Sequence, residues 1–210
     1  MARRWHLLTA VVAGGALLLQ LVLIVDGQAV LAETDPPGLA TRLGRFVSYF
    51  TIQSNLLVLV TSASLARDPA RDGPVWRVVR LAAVVGIAVT GVTHFFLLRP
   101  LLDLEGWNWV ADRMLHMVVP LAAVVGWLAF GPRPRLYGGE VLRAFAWPLA
   151  WLGYTLAVGA ASGWYPYPFL DPDEDGWGRV MLSAAGVTLV FLVFFAVASV
   201  VDRRLKPAPG

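Results

Sequence analysis

The chain has 210 residues, 58% of them hydrophobic and only 15% charged, with a mean hydropathy of +0.66. Soluble domains carry about a quarter charged residues, so this composition excludes an ordinary water-soluble domain and points to an integral membrane protein. The formal charge of +3 comes from basic residues at the ends of apolar blocks, which report membrane orientation and not nucleic-acid binding, and the absence of cysteine excludes disulfides, thiolate metal sites and a cysteine nucleophile.

The apolar residues fall in six blocks, 5–25, 46–66, 77–98, 109–130, 140–161 and 178–201. Each is roughly 20 residues, the length of a spanning helix. The expected fold is all-α and polytopic: one six-helix transmembrane domain over 1–210 with short loops. The first block follows Arg3 and Arg4, and its apolar run exceeds the roughly 7 to 15 residues of a signal-peptide core. It therefore reads as an uncleaved span, although Val30-Leu31-Ala32 resembles the end of a cleavage site, and the arginine pair reads as a basic flank beside which His6 is solvated.

The second block, Phe46 to Ala66, follows a link carrying Asp26, Glu33, Asp35, Pro36 and Pro37. It is apolar, yet its first half holds Ser48, Thr51, Gln53, Ser54 and Asn55, each of which needs a partner in hydrocarbon. The loop RDPARDGP, Arg67 to Pro74, stops this helix and precedes the third block. Between the fifth and sixth blocks lies GWYPYPFLDPDEDGWG. Asp171, Asp173, Asp175 and Gly176 there match the first half of a calcium loop, but the closing acid is replaced by Leu182, so a solvated acidic loop is expected.

Of the 17 basic residues, Arg3, Arg4, Arg67, Arg71, Arg77, Arg80, Arg133, Arg135, Arg143, Arg203, Arg204 and Lys206 fall on one side of six alternating spans. Arg42, Arg45, Arg99, Arg113 and Arg179 fall on the other. The basic excess predicts cytoplasmic termini. With that topology Thr51 lies about 8 Å and His116 about 10 Å below the outer ends of their helices, at roughly 1.5 Å per residue. His94 comes near the outer end of the third helix.

Helical spacing gathers these residues further. Ser48, Thr51 and Asn55 form one stripe at i, i+3 and i+7, and Asp112 stands four residues before His116, placed to fix its tautomer. A hydroxyl, an imidazole and a carboxylate are the parts of a nucleophile, base and orienting group. The plainer alternatives are that Thr51 bonds its own backbone or glues helices, that His94 is solvated at the interface, and that Asp112 snorkels into headgroups.

Tyr49-Phe50-Thr51, the stretch with Trp109, His116 and Pro120, and Gly163-Trp164 followed by Tyr167-Pro168-Phe169-Leu170-Asp171 together resemble the androgen-induced-gene family of polytopic membrane proteins. The resemblance implies a threonine hydrolase of fatty acid esters of hydroxy fatty acids, with Thr51 as nucleophile and His116 as base, and with membrane lipids or lipid esters as partners. The animal pattern carries a second histidine where this chain has Arg113, and the compact loops point to a bacterial-type member in the cytoplasmic membrane. The family assigns no role to Asn55, Asp112 or His94; Asn55 or a backbone amide is the candidate for holding the oxyanion. This reading needs no cofactor or metal. Two others remain: a b-type haem electron carrier with His94 and His116 as axial ligands, and a non-catalytic lipid-binding protein whose polar stripe only packs helices.

Overall fold

A computed structural model describes residues 1–28, 37–133 and 136–205, and all regular structure among them is helical. Glu33, Asp35, Pro36, the Val30–Ala32 stretch, Arg135 and Lys206 lie outside the described residues. The α-helices are α1 (Ala2–Val25), α2 (Leu39–Ser48), α3 (Phe50–Arg67), α4 (Pro74–Thr93), α5 (Gly106–Arg113), α6 (Val119–Phe130), α7 (Gly138–Ser162) and α8 (Pro172–Arg204). Five helical stretches are long and apolar enough to cross a membrane, and the pair α2 and α3, bent by 68°, makes a sixth if it counts as one span.

Helix α4 is the centre of the bundle. Leu81 through Ile87 are all buried, because α3, α6, α7 and α8 surround it, and a helix enclosed on every side carries no polar face. Small residues set the closest approaches. Ala10, Ala13 and Ala16 bring α1 against α3, and Gly86 of α4 lies under the Trp147 ring. The outward faces of α7 and α8 present Leu149, Leu189, Leu192 and Val193, which suit contact with lipid.

The structure departs from the sequence reading at the second block. Instead of one helix over 46–66, the chain leaves the α-helix at Tyr49, which adopts φ −66° and ψ 129°. The short α2 carries Arg42 and Arg45 across the end of α1: Arg42 Nη1 donates to Ile24 O at 2.7 Å, and the Arg45 guanidinium lies 5.0 Å from the Trp164 ring. A break inside an apolar layer must satisfy the backbone groups it frees. Trp151 Nε1 donates to Ser48 O at 2.9 Å, and the Thr51 N–H donates to the Tyr167 hydroxyl at 3.3 Å.

Two further departures are π-helical turns. His94–Leu98 continues α4, and Met114–Val118 joins α5 to α6. There Arg99 N–H bonds His94 O and Val119 N–H bonds Met114 O, each step one residue longer than in an α-helix. Pro120 supplies a local cause for the second, since it has no N–H for the His116 carbonyl and its ring would press on that oxygen in a regular helix. The fourth block is therefore a chain of three segments, and the third ends in a π-turn followed by a 3-10 turn at Arg99–Leu101.

Charged groups also sit differently from expectation. His6 is buried, 2% exposed, with its ring edge-on to Phe130. Arg80 is buried inside α4 and not at its flank. Asp171 caps α8, its Oδ1 accepting from Asp173 N–H at 2.9 Å, and Leu182 lies on the exposed face of that helix. Outside the spans, the Arg77 guanidinium beside Asp72 holds that carboxyl below its usual range.

Candidate active site

The break at Tyr49 puts Thr51 in the first turn of α3, not some way down a continuous helix. Its side chain is buried, with Oγ1 3.2 Å from His116 Nε2 and 3.3 Å from the Tyr167 hydroxyl. Ser48 falls on the other side of the break and leaves the expected stripe, its hydroxyl donating to Gly44 O at 2.8 Å and meeting the Tyr154 hydroxyl at 2.8 Å.

His116 projects from the second π-turn. Its Nδ1 stands 3.0 Å from the Asp112 carbonyl oxygen and 3.0 Å from Asp112 Oδ1. Both neighbours are acceptors, so Nδ1 carries the hydrogen and Nε2 presents its lone pair to Thr51. This is the tautomer a general base for Thr51 requires.

His94 is not solvated. It is 2% exposed, its ring stacks on His116 with centroids 3.8 Å apart and planes inclined by 13°, and Nε2 stands 2.8 Å from Asp112 Oδ1. Asp112 does not snorkel; it is buried between the imidazoles. Gly91 allows this crowding, since a Cβ there would stand 3.2 Å from the His116 carbonyl oxygen and 3.4 Å from Pro120.

Asn55 is buried beside the cluster, but its amide donates to Thr51 O at 2.8 Å and to Leu115 O at 3.2 Å. Those bonds tie α3 to the second π-turn and occupy the donors an oxyanion would need. Tyr167 had no assigned role in the sequence beyond its place in the family-like stretch. Nothing in the repeated YPYPF pattern marks which tyrosine turns inward. Burial in apolar surroundings pushes its hydroxyl above its ordinary pKa, so it stays a protonated donor.

Two apolar clefts meet at Thr51, His94 and Tyr167. One, with a cavity volume of about 60 Å³, runs among α3, α4, α7 and α8 and is lined by Phe50, Phe145, Trp151 and Phe191. The other, with a cavity volume of about 70 Å³, runs from Gln20 and Phe46 past His116 to Leu104 and Asn108.

Comparison with protein-family models, with curated proteins and with solved structures finds no match. His94, Asp112 and His116 offer three ligand atoms within 4.8 Å of one another. The nearly parallel rings leave an ion shared by both imidazoles well out of at least one ring plane, where the nitrogen has no lone pair, and His116 Nδ1 already serves as a donor. The donor set does not fit a divalent cation as it stands. It fits a haem no better, since axial imidazoles meet an iron from opposite faces of the macrocycle, and rings 3.8 Å apart leave no gap for one.

Proposed function

We propose that the chain is an intramembrane hydrolase of lipid esters, with Thr51 as nucleophile, His116 as general base and Asp112 as the group that fixes the His116 tautomer. The observation that carries this reading is the 3.2 Å contact between Thr51 Oγ1 and His116 Nε2, at the junction of two apolar clefts. The resemblance to the androgen-induced-gene family favours the same two residues and an ester joining two hydrocarbon arms. Six spans with cytoplasmic termini, in a bacterial cytoplasmic membrane, are the topology that the basic excess and compact loops favour. That topology turns the Thr51 layer toward the outer leaflet, within reach of water.

In this mechanism Thr51 Oγ1 attacks the ester carbonyl while its proton passes to His116 Nε2. The carbonyl oxygen takes up negative charge, and the Tyr167 O–H, already at Thr51 Oγ1, is the donor best placed to follow it. The intermediate collapses as His116 returns the proton to the departing alcohol. Water, activated by the same imidazole, then releases the acid and restores Thr51.

The test uses the full chain in lipid nanodiscs with a fluorophosphonate probe and a panel of lipid esters. Wild type and Thr51→Ser take up label, Thr51→Ala does not, and His116→Ala lowers the rate by about 10²- to 10⁴-fold. Labelling and hydrolysis unchanged in folded Thr51→Ala would remove Thr51 as nucleophile.

A further inference from the structure

The use of two imidazoles on one carboxylate is unexplained by a nucleophile, base and orienting acid, which need only one. Asp112 Oδ1 stands 2.8 Å from His94 Nε2 and 3.0 Å from His116 Nδ1, and His94 and Asp112 are buried. A carboxylate in such a layer needs a compensating charge. Among the described residues, the groups lining the clefts at His94 do not supply one from elsewhere. Asp112 and His116 come from the α5–α6 segment and Tyr167 from the loop, while α1 and α3 bring the neutral Gln20 and Thr51, and the lining from α7 and α8 is uncharged. Arg99 and Arg113, on the same helices, lie over the rings of Phe95 and Trp109. Neutrality of the cluster requires one proton beyond those of two neutral imidazoles.

We propose that His94 carries that proton, as a positioning residue that keeps His116 neutral and available to Thr51; this rests on the hydrolase reading above. His94 Nε2 makes the closest approach to the carboxylate, whereas an imidazolium at His116 would turn a donor toward Thr51 and leave the hydroxyl without a base. Stacking at 3.8 Å resists a second positive ring. During acylation His116 does take a second proton, from Thr51, and the negative charge then forming on the carbonyl oxygen balances it. The pair His94–Asp112 thus sets the resting charge at zero and lets the catalytic proton move only with the reaction.

Removing His94 sends the resting proton to His116. His94→Phe is then expected to displace the acid limb of the kcat/KM profile to higher pH by about one to two units, lowering activity near neutrality by about 10- to 100-fold with recovery at alkaline pH. The double variant His94→Phe with Asp112→Asn has no carboxylate to neutralise, and its limb returns to low pH. His94→Gln, which keeps a polar contact but takes no proton, repeats the displacement if the phenylalanine variant folds poorly. The second readout is independent of activity: the chain has three histidines, so ring ¹⁵N shifts in nanodiscs resolve each one. The expected spectrum near neutral pH has His94 as imidazolium and His116 as the neutral Nδ1–H tautomer. A neutral His94, or a loss in both His94 variants that is equal at every pH, would overturn the proposal. Failure of the hydrolase reading shows separately, as activity that survives Thr51→Ala, and leaves the ¹⁵N result to decide the charge on His94.

Discussion

Replacing Tyr167 by Phe deletes one oxygen and separates its two duties. That oxygen accepts from the Thr51 N–H at 3.3 Å and contacts Thr51 Oγ1 at 3.3 Å. The aromatic body stays, stacked on Phe169 and edge-on to Tyr49, so packing is preserved. The structural cost is one backbone N–H left without a partner at the helix break, about 1–3 kcal/mol. In the proposed hydrolase, the chemical cost is the loss of the donor placed to follow charge off Thr51, about 2.7–4 kcal/mol or 10²- to 10³-fold in acylation. The assay is the rate of fluorophosphonate labelling in nanodiscs, with unfolding followed by tryptophan fluorescence on the same samples. Tyr167→Phe is expected to label about 10²- to 10³-fold more slowly and to unfold a few degrees lower. Wild-type labelling with lowered stability would assign Tyr167 to the backbone alone. The sign of the pH effect follows from burial. Because the folded state raises the Tyr167 pKa, its contribution to stability is intact below the ordinary tyrosine range near 10 and declines as pH rises through it, a decline that Tyr167→Phe lessens.

Three other substitutions probe the scaffold. A Cβ on Gly86 would stand 2.6 Å from Trp147 Cζ3, so Gly86→Ala is expected to cost about 1–3 kcal/mol, partly recovered with Trp147→Phe; equal thermal midpoints for Gly86→Ala and wild type would contradict that packing. Asn55→Leu removes the ties to Thr51 O and Leu115 O, and is expected to lower stability by about 1–3 kcal/mol and to slow labelling less than Tyr167→Phe does. Arg80 is 4% exposed, touches Thr61 Oγ1 only at 3.5 Å, and among the described residues has no hydrogen-bond partner for Nε or Nη2. Its replacement by Met removes a buried charge that gains little from pairing, so the midpoint in a thermal scan is expected to hold or rise, and a pronounced fall would refute this.

The helices were legible because hydrocarbon imposes a length and a composition on anything that crosses it, and blocks such as 77–98 and 140–161 carry both. The break at Tyr49 was not. No proline or glycine lies between Arg45 and Ala66, and the local sequence reads as one apolar run. What permits the break is distant: Trp151, more than a hundred residues on, takes the carbonyl of Ser48, and Tyr167 takes the N–H of Thr51. A weak local sign existed in Arg42 and Arg45, two cations at i and i+3 just before the apolar run, which mark α2 as a helix that does not continue straight into the layer.

The same division holds at the site. Spacing alone placed Asp112 four residues before His116, because both lie on one segment. It could not bring His94 face to face with His116, since that contact depends on two π-turns and on the missing side chain of Gly91. Each π-turn shifts the register by one residue, about 100° around the helix, which is enough to move a histidine from a lipid-facing to a buried position. At 114–118 the cause is written in the sequence as Pro120, whereas HFFLL at 94–98 carries no comparable mark beyond Pro100 downstream. Helix identity therefore follows from composition, whereas the site depends on where the helices fail to be regular. Those failures are tolerated only because side chains from other helices satisfy the backbone groups that they free.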